Sequence, residues 1–237
     1  MIGMRQVYFC LEMPGKEGYF GGIATIISEY LSAHALFEKE GYSVHLLSCS
    51  RESVRWLKNS KLQNIAYAIK QKKEARREIG QSDVLHIHTS KGWLLLKDSF
   101  LIRYIKKKVR CKVVLTIHFA DFQNIFYRNK VLQYLQFRGI GDADRIILLS
   151  KKTKDEFVCH GMPSEKIAVS YTFHNMKTEK FPIKRSGTLK LLFVGSLDQR
   201  KGILDLLQIL NDFKLEDFHL DICGKVTMPD VGASCII

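Results

Sequence analysis

Apolar and polar positions alternate along this chain in two periods that take turns. Gln6 to Met13 ("QVYFCLEM") is a short apolar run of strand type. After the loop "PGKEGYFGG", Ile23, Ile26, Ile27, Tyr30, Leu31 and Phe37 recur at three- and four-residue steps, which predicts a helix from about Ile23 to Lys39 that stops at Gly41. Ser43 to Cys49 predicts a second strand, Ser53 to Ile79 a basic helix, and Asp83 to Thr89 a short buried strand. Trp93 to Lys108 reads as a helix with Leu94, Leu101, Tyr104 and Ile105 on one side, and Lys112 to His118 as a strand. A helix over Lys130 to Ile140, a strand over Arg145 to Ser150, a helix over Thr153 to His160 closed by Gly161, and a strand over Lys166 to Phe173 follow.

Strands separated by helices predict an α/β fold with a parallel sheet covered on both faces, which explains why several strands are almost continuously apolar. The polar stretch from Asn175 to Gly187 reads as a linker. The expected division is therefore a first domain over 1–175, a linker over 176–188 and a second domain from 189 to 237. That second part holds a strand from Lys190, a helix from about Gly202 to Leu210 and a strand over Phe218 to Gly224. In parallel sheets, ligands bind beyond the C-terminal strand ends. Gly21 and Gly22, Thr89 to Gly92, and His118 to Phe122 all fall at such ends.

The stretch from Leu191 to Leu204, "LLFVGSLDQRKGIL", combines a buried strand, a glycine turn, a basic pair and a helix start. A diphosphate suits it: helix starts offer N–H groups and a positive dipole end, and Arg200 and Lys201 add full charges. The net charge of +13 is concentrated in two segments, Arg51 to Gly80 (+6) and Lys91 to Lys112 (+7). Such segments are either solvated helix faces or a surface for an anionic partner, lipid or nucleic acid. Trp93, Leu94, Phe100, Leu101 and Tyr104 among the lysines suit a lipid interface; the alternative is that Leu94, Leu101 and Tyr104 pack on the sheet while the lysines face water. No nucleic-acid recognition motif accompanies the charge. The six cysteines, at 10, 49, 111, 159, 223 and 235, form no metal-type cluster; four sit in or beside apolar runs, which suits small buried hydrophobes in a reducing cytoplasm. No signal-peptide pattern or membrane-length apolar run is apparent.

Taken in order, these motifs resemble the retaining GT-B glycosyltransferases of the large nucleotide-sugar-dependent group, family 4. The likeness rests on "GGIATIISEYLSAHALFEKEGYSVHLLS", "DVLHIHTS", "VVLTIHFADF", "ADRIILLS" with "EKIAVSYTFHN", and "LLFVGSLDQRKGILDLL". It implies a Rossmann-like, doubly wound N-terminal domain plus an incomplete second Rossmann-like domain. It implies transfer of a sugar, a hexose, from a nucleotide-sugar donor to a polysaccharide or lipid-linked acceptor with retention of configuration. The nucleotide sugar is then a substrate, and neither cofactor nor metal is expected. The implied place of action is the cytoplasm, peripheral at the inner membrane face.

By the same resemblance, His118 is the active-site histidine, Gly22, Arg200 and Lys201 meet the donor phosphates, and Gly21, Ser90 and Asp121 touch acceptor or sugar. Each has a plainer alternative: a tight turn for Gly22, a packed strand end for His118, a solvated pair for Arg200 and Lys201, a helix cap for Asp121. Two departures stand out. Ser196 occupies a place where the family often has arginine, and no pair of glutamates seven residues apart follows Gly224. A truncated, weakly active enzyme is the resulting expectation, with a catalytically inactive binding module as the alternative. A nucleotide-sugar epimerase of the same architecture is a further alternative on fold grounds.

Overall fold

The computed structural model describes residues 4–10, 22–47, 60–81, 83–171, 188–212 and 218–224. The chain divides into two compact units, Met1–Met176 and Lys177–Ile237. In the first, β1 (Arg5–Cys10) leads to α1 (Gly22–Ser32), α2 (His34–Lys39) and β2 (Tyr42–Leu47). Then come α3 (Ser60–Glu78), β3 (Val84–Thr89), α4 (Trp93–Lys108), β4 (Lys112–Ile117), α5 (Phe122–Ile125) and α6 (Lys130–Gly141). β5 (Arg145–Leu148), α7 (Lys151–Cys159) and β6 (Ile167–Val169) complete it. The single helix expected over Ile23 to Lys39 is two, because Ala33 leaves helical geometry at φ −86°, ψ 16°. The expected starts and ends of strands and helices at 11–13, 48–59 and 172–173 lie outside the described residues, as does most of the expected linker.

The six strands pair in parallel in the order β2-β1-β3-β4-β5-β6. Chain direction across the sheet reverses between β1 and β3, the place where such sheets open a crevice. Strand alternation sends Cys10, Leu85, Ile87, Val113, Leu115, Ile117, Ile146 and Leu148 to one face, where they join Leu95, Leu101, Ile102 and Ile105 of α4 in the main core. The opposite face carries Phe9, packed with Ile27 of α1, and beside it His86 and His88.

α4 is buried along much of its circumference, between α3 and α6. Leu101 is in the core and Tyr104 packs against it, so the expected lipid-facing side of this helix is corrected: only Phe100 of that set is largely exposed. Lys97 is not a solvated cation either. Its Nζ donates to Asp98 Oδ1 (2.6 Å) and Gln71 Oε1 (2.9 Å), and lies 5.3 Å from the centre of the Tyr67 ring. Gln71 in turn donates to Cys10 Sγ at 2.9 Å, and all four partners are buried. Cys10 and Cys111 are buried as expected, whereas Cys159 and Cys223 are exposed; Cys49 and Cys235 lie outside the described residues.

At the N-terminal edge of the sheet, Asp144 gathers three elements. Its carboxylate accepts from Lys106 (2.7 Å), Lys112 (3.2 Å) and the Val113 N–H (2.8 Å). Burial alone would raise its pKa, but these donors outweigh it and hold the pKa below the usual value. Where α4 crosses α6, a Cβ on Gly139 would stand 2.5 Å from Ser99 Cβ and 2.7 Å from the Ser99 carbonyl oxygen. Gly139→Ala is therefore expected to lower stability by roughly 1–3 kcal/mol despite alanine's better helix propensity. Urea denaturation checks this, and an unchanged midpoint would contradict the tight crossing.

The second unit contains β7 (Leu189–Val194), α8 (Ile203–Asp212) and β8 (Phe218–Cys223), with β7 and β8 parallel. Phe193, Leu197, Ile203, Leu206, Leu207 and Ile222 form its core. The other sheet face exposes Leu192 and Val194.

Candidate active site

Three histidines form a stack on the α1 side of the sheet. His86 and His88 sit two apart on β3 and so share a face. Parallel register sets Thr116 beside His88, and His118, one residue past β4, follows on the same side. The rings of His86 and His88 are 4.3 Å apart between centroids, and those of His88 and His118 5.1 Å at an interplanar angle of 20°. His88 Nδ1 and His118 Nε2 share a hydrogen bond of 2.8 Å; His86 Nε2 and Thr116 Oγ1 share another of 2.8 Å.

Burial is the main cause of their electrostatics. It pushes His88 down to about 2 and His86 to about 3, helped in each case by repulsion from neighbouring imidazoles, and His118 to about 4. All three rings are neutral at pH 7. His88, Thr116 and His118 line a recess with Ile26 and Tyr30 of α1 and Tyr171 beyond β6. Its volume is ≈ 20 Å³, about one water. Among the described residues, three of the five buried polar atoms without a partner fall between His88 and Trp93: His88 Nε2, Thr89 Oγ1 and Trp93 Nε1. Natural proteins leave few such atoms unpaired.

Other expected residues lie along the same sheet edge. Ser90 follows β3 directly and is half-buried. Its neighbour Lys91 sets Nζ 4.5 Å above the Phe119 ring, joining the β3 loop to the β4 loop. Gln136, fully buried, donates to the Gly92 carbonyl and accepts the Tyr127 N–H, which fixes the entry to α4. Asp121 is a helix cap: it accepts from the Gln123 N–H (3.2 Å) and Asn124 Nδ2 (2.6 Å). Gly22 opens α1 with open space where a Cβ would stand, so nothing among the described residues demands glycine there. Gly21 lies outside the described residues.

In the second unit, Gln199–Lys201 forms a single 3-10 turn that ends at Gly202 (φ 76°), and α8 follows. The expected open N–H groups are reduced by one. Asp198 caps the turn, its carboxylate taking the Lys201 N–H at 3.0 Å. Lys201 is exposed, while the side chain of Arg200 lies outside what is described. Gly195 and Gly224 meet at the strand ends, where a Cβ on Gly224 would lie 1.7 Å from the Gly195 carbonyl oxygen. Among the described residues no group of three or more His, Cys, Asp and Glu side chains is placed to hold a metal ion.

A switch-point parallel sheet with this edge, followed by a second strand–helix–strand unit, defines a GT-B glycosyltransferase architecture. The profile of Glycosyltransferase Family 4 matches residues 21–177, and the chain belongs to that family. Solved structures share the fold. One is the apo form of the lipopolysaccharide outer core galactosyltransferase WaaB: TM-score 0.54, 16% identity, covering 94% of this chain and 62% of that one. Starch synthase IV from Arabidopsis thaliana, bound to ADP and acarbose, has TM-score 0.63 and 8% identity over 98% of this chain and 70% of that one. A putative UDP-N-acetylglucosamine 2-epimerase from Listeria monocytogenes has TM-score 0.61 and 11% identity over 100% and 66%. The chain thus spans about two thirds of the length of these proteins. No curated protein sequence matches it.

Proposed function

We propose that the protein takes part in transfer of a sugar, a hexose, from a nucleotide-sugar donor to a glycan or lipid-linked acceptor, with retention, as in polysaccharide assembly. The observation that carries this is the neutral histidine stack ending in His118 at the C-terminal sheet edge, in a chain of this family. His118 would contact the transferred sugar, and Ser90 the sugar or acceptor. Asp121, committed to its cap, would act by holding the β4 loop in place. In the second unit, Lys201, Arg200 and the start of α8 would stabilise charge on the departing diphosphate, with no metal required in this scheme. Gly22 would let backbone approach the donor, and Gly21 before it would meet the sugar or acceptor.

The test is nucleotide release from a panel of nucleotide sugars with mixed lipid-linked acceptors. His118→Ala and Lys201→Ala are each expected to lower release ~100-fold or more, the scale for one preorganised polar group. Binding of nucleotide sugar without release would instead support the inactive binding module. Neither binding nor release would overturn both readings.

The place of action we assign is an anionic membrane surface, through α3 rather than α4. Leu62, Ile65 and Ile69 form one outward stripe, 53%, 52% and 58% exposed, continued by Lys73 and Arg76. Lys72 lies 5.9 Å from the ring of exposed Phe100 on α4, which extends the surface toward Lys107 and Lys108. No helix among the described residues is long and apolar enough to cross a membrane. Apolar residues among cations suit docking in the interface, each cation near the surface contributing ~1 kcal/mol. Vesicle co-sedimentation should rise with anionic lipid and fall with salt and in Ile65→Glu. Equal recovery with neutral and anionic vesicles would overturn this assignment.

A further inference from the structure

We infer that His88 is a positioning residue that fixes the tautomer of His118, so that His118 presents an N–H, through Nδ1, to whatever ligand occupies the site. This rests on the proposed function only for the identity of that ligand.

The argument follows from where one proton can go. Both rings are neutral, so each carries a single N–H. One hydrogen bond of 2.8 Å joins His88 Nδ1 to His118 Nε2, and exactly one of these nitrogens donates. If His118 donated, His88 would carry its proton on Nε2. That atom is buried and has no partner among the described residues, so an N–H would be stranded. If His88 donates, Nε2 is left as a bare lone pair. An orphaned buried donor is rarer than an under-satisfied acceptor, so the second arrangement is preferred.

The surroundings hold the arrangement in place. The Phe9 and Tyr30 rings lie 5.9 Å from the His88 ring and meet it edge to face. The His86 ring, tilted 40° against His88, is tied to Thr116 and leaves the His88–His118 hydrogen bond alone.

The consequence is chemical. With Nε2 accepting from His88, His118 keeps its proton on Nδ1, which has no hydrogen-bond partner among the described residues. A ligand meeting that nitrogen meets a neutral donor. It can hold a sugar hydroxyl or ring oxygen by its lone pair. It cannot take a proton, so His118 does not serve as a general base through the nitrogen it offers.

The experiment is long-range proton–nitrogen NMR of the full chain labelled with ¹⁵N-histidine, at pH 7.5 without ligand. Protonated and bare ring nitrogens have well-separated shifts. The expected result is a protonated Nδ1 and bare Nε2 on both His88 and His118. In His88→Leu, the Nδ1 signal of His118 should move toward the bare type, since its fixed donor is gone. In His88→Asn, an amide N–H can replace the lost donor, and the wild-type pattern should return. A bare Nδ1 on wild-type His118, or an unchanged His118 pattern in His88→Leu, would overturn the inference. The wild-type spectrum decides even where a variant fails to fold. Failure of the transferase reading would appear separately, as absent nucleotide release with this tautomer intact.

Discussion

Acidification is expected to unfold the N-terminal unit steeply, beginning near pH 6.5. His86 and His88 are buried neutral, with values lowered to about 3 and about 2. In the unfolded chain they titrate near ~6.5. Below that pH the unfolded state binds protons that the folded state refuses, so stability falls as pH falls. Each such histidine contributes a slope of about 1.4 kcal/mol per pH unit, and the two together roughly 3 kcal/mol per unit between pH 6.5 and about 4. His118 adds in the same direction, less strongly because it is partly exposed. The loss reaches roughly 7–8 kcal/mol by about pH 4, enough to unfold a unit in the lower half of the usual range of about 5–15 kcal/mol. Urea midpoints from pH 8 to pH 4 measure the slope, and His86→Gln should reduce it. A midpoint that stays flat across this range would mean that the rings are charged or open to water.

Lys97→Met is expected to cost the same unit about 3–5 kcal/mol, the scale for stripping one partner from a buried ion pair. The substitution keeps the volume of the stem but leaves Asp98 buried, and removes the donor to Gln71 Oε1. A double variant, Lys97→Met with Asp98→Asn, should recover much of the loss, because no charge then remains in the core. Thermal or urea denaturation of the native chain, the two single variants and the double variant gives the coupling directly. Equal stability of Lys97→Met and the native chain would show that Asp98 reaches solvent.

Much of this architecture was legible in the alternation of periods. The helix read over Trp93 to Lys108 begins and ends where α4 does, and the parallel α/β sheet follows from strands separated by helices. His118 was legible as a polar residue ending an apolar strand. His88 was not, although "HIH" was in view. Two-residue spacing puts His86 and His88 on one face, but only the register of β3 against β4 brings Thr116 and His118 to them, and register is a tertiary property. Lys97 was misread for a related reason. Counted within a basic segment it looked solvated, yet α4 is enclosed by α3 and α6, so its buried face is wider than one apolar stripe indicates. Asp198 drew no notice in the sequence, and only the turn geometry shows its carboxylate taking the Lys201 N–H.

The clamp around Asp144 has a further meaning. Lys106, Lys112 and Lys166 tie the starts of β4, β5 and β6 together through carboxylate and carbonyl oxygens, and Arg145 bonds the Glu165 carbonyl alongside. All of this lies at the edge of the sheet away from the histidines. The two rims are thus fastened independently, one by charge and carbonyls, the other by stacked rings. Segments at the histidine rim can be exchanged for those of another family member without loosening the opposite one. The first unit is in that sense a chassis with two separately built rims, one of which can be altered without unfastening the other.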